Sequence, residues 1–80
     1  MTDPDKELTD AYQEKAKNLL KAELKRRGIT YRQLAEMLVD KGVSENERNL
    51  TNKISRGSFT TAFFLMCMDA IGATSLQLQA

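Results

Sequence analysis

The chain has 80 residues, 41% hydrophobic and 29% charged, with one cysteine, no histidine and a net charge of +1. That is one small domain with enough apolar material for a core, and no apolar run approaches the roughly 18 residues of a membrane-spanning helix. The absence of histidine excludes His-based catalysis, and a single cysteine excludes an internal disulfide and argues against a zinc site, so neither metal nor cofactor is expected.

The near-neutral total hides an uneven distribution. Residues 1–14 carry one lysine against five acids, residues 15–57 eleven bases against five acids, and residues 58–80 only Asp69. The middle of the chain can therefore present a basic surface. The start, MTDPDKELTD, is acidic and polar, unlike a secretory signal, and residues 1–8 are expected to be frayed or disordered. Residues 9–80 are expected to form a single domain.

Four helices are expected in chain order. The first covers about 9–27, where Tyr12, Ala16, Leu20 and Leu24, with Leu19 beside them, make an apolar stripe. Gly28 ends it, followed by Ile29, with Leu24 placed for the closing contact. The second covers about 31–41, opened by a capping box at Thr30–Gln33 and closed by Gly42 with Val43 and Leu38. Its buried side is Leu34, Ala35 and Leu38, with Met37 next to them. The third covers about 45–56, opened by a second capping box at Ser44–Glu47, and turns Leu50 and Ile54 inward. The fourth covers about 61–71. Thr60 caps it, and Phe59 and Phe64 are spaced as a hydrophobic staple. In the tail, Leu76 and Leu78 alternate with polar residues, so they either share one side of a short strand or simply pack onto the core.

With Leu50 and Ile54 inward, Arg48, Asn49, Asn52 and Lys53 fall on outward or flanking faces of the third helix. Arginine bonds bidentately to the guanine edge and asparagine to the adenine edge, while Lys and Arg neutralise phosphates. Arg32 and Gln33 sit in the first turn of the second helix, where free N–H groups and the helix dipole favour an anion. Tyr31 beside them, and Arg56 and Ser58 at the exit of the third helix, complete a set of candidate backbone contacts. The plain alternative for the third helix is a solvated polar face. For Lys21, Lys25, Arg26 and Arg27 it is favourable charge at a helix C-terminus. Cys67, inside FFLMCMDAIG, reads as a buried small hydrophobe.

The order of a polar helix start, Leu34-Ala35, a turn glycine, a capped polar helix and a closing Ile54-Ser55-Arg56-Gly57 resembles the Cro/XRE-type helix-turn-helix repressors over about residues 18–78. The resemblance implies an all-α repressor-like four-helix bundle whose second helix crosses the DNA backbone and whose third enters the major groove. It further implies a cytoplasmic, non-enzymatic regulator of transcription that binds double-stranded DNA. The fourth helix is apolar nearly all round. With Phe64, Cys67, Met68 and Ile71 inward, Phe63, Met66 and Ala70 would form a second patch, which together with Leu76 and Leu78 is the expected homodimer interface. A different use of the same patch is docking on another protein, as in an antitoxin or complex subunit. No small-molecule site and no membrane contact are suggested.

Overall fold

In a computed structural model the chain is described from residue 3 to residue 78. Four helices are present over that stretch, and no strand: α1 Pro4–Arg26, α2 Tyr31–Asp40, α3 Glu47–Arg56 and α4 Thr61–Ala70. The all-α class and the number of helices are as expected. The longest dimension is 45 Å, against 25 and 18 Å for the other two.

The first helix starts five residues before its expected boundary. Asp3 caps it, its carboxylate accepting the Asp5 N–H at 3.0 Å, and Pro4 occupies the first turn, where a missing N–H costs nothing. Asp5 and Glu7 then complement the positive end of the helix dipole. The expected fraying of 1–8 therefore does not describe Asp3–Leu8; Met1 and Thr2 lie outside the described residues.

Three glycines close helices as their neighbours indicate. Gly28 and Gly42 take positive φ, and the amides of Ile29 and Val43 reach back to the carbonyls of Leu24 and Leu38, each at 2.9 Å. Gly72 does the same after α4, with Ala73 bonded to Met68 at 2.9 Å. Thr30 and Gln33 form both halves of the capping box. Thr60 accepts the Phe63 N–H at 3.0 Å, and the rings of Phe59 and Phe64 stack 6.1 Å apart.

The core is Leu20 and Leu24 from α1, Leu34, Ala35 and Leu38 from α2, Leu50 and Ile54 from α3, and Phe63, Cys67, Met68 and Ile71 at α4. α2 packs against both α3 and α4, and α1 packs against α3. Among the largest fully buried side chains of the described residues stands a charged one, Glu23. It pairs with Arg26 at 2.6 Å and Arg27 at 3.5 Å, so the basic end of α1 serves a buried acid as well as the helix dipole.

Two expectations about sidedness are corrected. Tyr12 is 61% exposed rather than part of the core stripe, lying at the rim of a groove it shares with Gly57 and Phe59, while the buried residues of α1 begin at Leu20. Phe63 is 5% exposed rather than part of an outer patch. Its ring lies 5.7 Å from that of Phe59 and beneath the Lys53 ammonium at 4.9 Å, so the inward arc of α4 is wider than a single stripe. Leu65 and Met66 are left as the exposed large apolar residues of α4, and Ala70 is half-buried against the core. In the tail, Leu76 packs on the core while Leu78 is 60% exposed, and neither lies in a strand.

Candidate nucleic-acid interface

The third helix begins later than its sequence suggests. Asn46, not Ser44, is the cap, accepting the Asn49 N–H at 2.8 Å, and the helix opens at Glu47. The reason lies in Glu45. Its side chain is 2% exposed and forms an ion pair with Lys53 two turns along α3. A helical Glu45 at the opening of α3 would give up that position. One carboxylate oxygen, Oε1, has no hydrogen-bond partner. Glu45 therefore does not stand at the outer end of α3 as an anion.

Leu50 and Ile54 are fully buried, which fixes the rotation of α3. At about 100° per residue, Arg48, Asn49, Asn52 and Arg56 span roughly 100° of the helix centred opposite those two anchors. All four are exposed. Arg48 and Arg56 pair with no carboxylate among the described residues. Thr51 lies to one side, its hydroxyl donating to the Glu47 carbonyl at 2.8 Å. Lys53 lies on the other flank. Its side chain is 48% exposed and is committed to Glu45 and the face of Phe63. Expected among the base-reading group, Lys53 is held off that face, and Arg56, expected at the backbone, shares it.

The remaining backbone candidates fall into two groups. Arg56 and Ser58, with Lys53, Phe59, Thr60 and Phe63, line a notch of about 260 Å³ where α3 ends and α4 begins. Arg32 and Gln33 are exposed at the start of α2. Arg32 is 3.7 Å from Glu36, a loose, solvent-screened pair. The Gln33 side-chain oxygen is engaged by the Thr30 N–H at 2.9 Å, which leaves its amide donors for other partners. Tyr31 is half-buried against the core, and burial raises its phenol pKa, partly offset by Lys17.

Sequence reasoning missed the two acids that fold inward, Glu23 and Glu45. Glu23 carried a signal, lying three residues after Leu20 on the buried side of α1. Glu45 carried none, since its partner is eight residues away and across a helix start. Cys67 is fully buried, and its thiol is pushed up to about 12, first by burial and then by Glu45, with Lys53 opposing. A thiol so placed is a poor nucleophile at neutral pH. Among the described residues no cluster of His, Cys, Asp or Glu could hold a metal ion, and no helix is long and apolar enough to cross a membrane.

These features define a small helical bundle with an open polar and cationic face on its third helix. The chain belongs to the family described as DUF6471, a domain of unknown function, whose model matches residues 12–76. No curated protein matches the chain, and no solved structure does.

Proposed function

We propose that the protein is a sequence-specific DNA-binding domain, a small cytoplasmic transcriptional regulator without enzymatic activity, and that α3 enters the major groove. The observation that carries this is the outward face of α3: Arg48, Asn49, Asn52 and Arg56 exposed together opposite Leu50 and Ile54, with neither arginine paired to a carboxylate among the described residues. Arginine and asparagine match the guanine and adenine edges. The resemblance to Cro/XRE-type repressors over about residues 18–78 points the same way. In this reading Arg32, Gln33, Arg56 and Ser58 take phosphates on either side, Arg56 from the exit end of α3, and Tyr31 contributes its hydroxyl from the core edge. Lys53 has a smaller role than the other candidates, because part of its charge is spent on Glu45. Two-fold pairing on a palindromic site belongs to the same proposal.

Selection of bound fragments from random duplex DNA tests it. A recurrent motif is expected, palindromic if two copies bind together. Arg48→Ala with Asn52→Ala, both exposed and so compatible with folding, is expected to lose that preference, each good bidentate contact being worth about 1–3 kcal/mol. Failure to enrich any motif, or unchanged selectivity in the double variant, would overturn the assignment of α3 as the reader.

A further inference from the structure

Glu45 stands in the turn before α3 with its side chain 2% exposed, and the cation paired with it is Lys53. Cys67, fully buried on α4, is influenced by both charges, so the pair lies against the core rather than out in solvent. Oε1 of Glu45 has no hydrogen-bond partner among the described residues. If the ammonium left, the carboxylate would be a buried anion with no paired cation, which is far costlier than an exposed one.

Lys53 has a second place to go. At about 100° per residue it lies about 40° round α3 from Asn49 and about 60° from Arg56, at the border of the outward face. Lys53 and Arg56 line the same notch, with Ser58 and Thr60 beside them. A lysine carries its charge on a flexible four-carbon stem, so a released Lys53 can swing to the Arg56 wall. A phosphate seated there would then meet two cations instead of one. As folded, the ammonium is turned to Glu45 and lies 4.9 Å over the Phe63 ring.

The carboxylate and a DNA phosphate are thus competitors for one ammonium. The carboxylate is already in place and largely stripped of water, and stranding it costs more than one phosphate contact returns. We propose that Glu45 is a positioning residue for DNA binding: it withholds Lys53 from the phosphates and so limits the sequence-independent share of the affinity. The proposal rests on the reading of α3 as the DNA-binding helix, and adds which cation is kept off the duplex.

Salt titrations by fluorescence anisotropy on a scrambled duplex test it. Glu45→Gln keeps the shape of the side chain and removes its charge. The slope of log affinity against log salt is expected to steepen by about 0.9, and affinity at 0.1 M salt to rise about eightfold if the two lines meet at 1 M. Glu47→Gln makes the same change of net charge at an exposed acid two residues away and should move the slope much less. Glu45→Gln with Lys53→Gln should return the parent slope, because the parent draws nothing from Lys53. That double variant also decides the matter alone if Glu45→Gln is too unstable to titrate, a neutral pair being better tolerated than a stranded charge. A pair that only braces the start of α3 would lower the melting temperature of Glu45→Gln and leave its slope unmoved. An unmoved slope in Glu45→Gln, an equal change in Glu47→Gln, or a double variant shallower than the parent by about 0.9 would overturn the inference while the DNA reading stands. A parent that binds no duplex even in low salt would overturn the DNA reading itself, and the inference with it.

Discussion

Gly57 and Gly28 both hold positive φ, yet their surroundings differ. A methyl at Gly28 would meet nothing within 4 Å, whereas one at Gly57 would lie 2.5 Å from the backbone carbonyl oxygen of Gln13 in α1. Gly28→Ala is therefore expected to cost about 1 kcal/mol, the penalty of the left-handed backbone alone. Gly57→Ala should cost clearly more, because a backbone atom must move. Paired urea titrations check the order, and equal losses would mean that α1 does not press on the turn. Cys67 gives a second test at this scale. Its folded-state thiol pKa is raised above the unfolded value, so its contribution to stability is fully present below about pH 8.5 and is lost as pH rises toward about 12. The stability difference between the parent and Cys67→Ala should be flat at neutral pH and shrink by up to about 1.4 kcal/mol per pH unit above that point. Native protein should also resist alkylation at neutral pH until it is unfolded.

Among the elements, α3 separates what local sequence can say from what it cannot. Its buried side was legible, because Leu50 and Ile54 stand four apart amid polar residues and both are fully buried. That same spacing made Arg48, Asn49 and Asn52 outward. Its beginning was not legible, since Ser44 and Asn46 both have cap chemistry and three-residue reach. The choice is made by Glu45, which turns inward to Lys53 and keeps residues 44–46 out of the helix. Asn46→Ala is expected to destabilise the protein by about 1 kcal/mol and Ser44→Ala by close to zero. Thermal or urea denaturation distinguishes them, and a reversed order would restore the earlier start. The ends of α1, α2 and α4 were easier, because glycine followed by an apolar residue is a backbone rule that needs no distant partner. The start of α1 was written in Asp3 and Pro4, but an acidic, polar decapeptide masks a cap when no core residue lies within reach. On α4 an almost wholly apolar sequence has no periodicity to read, so the buried place of Phe63 depended on Phe59 and Lys53 arriving from elsewhere.

For the molecule as a whole, the net charge of +1 is a poor guide to its surface. Acids are concentrated on the outer half of α1, while Glu23 and Glu45 are buried against bases. The side of α3 opposite Leu50 and Ile54 is cationic and amide-bearing, with Glu47 exposed off that side in the first turn. Binding of duplex DNA is accordingly expected to weaken steeply with salt, and each of Arg32→Ala and Arg56→Ala should lower the slope of log affinity against log salt by about 0.9 if it removes one phosphate contact. Arg48→Ala and Asn52→Ala should instead narrow the gap between specific and random sequence. Salt titrations on the selected motif and on a scrambled duplex measure both, and a slope unmoved by either arginine would remove the phosphate assignment.

The crossing at Gly57 and Gln13 carries a mechanical consequence. Pro4 lies nine residues from Gln13, about 13 Å along the helix axis, so the contact is the fulcrum of a lever. Prying the rod there through ten degrees would swing its tip by about 2 Å, a sizeable fraction of the ~8–10 Å between the axes of packed helices. The lone hydrogen on one turn residue thus sets the aim of an arm whose end is more than fifty positions earlier in the sequence.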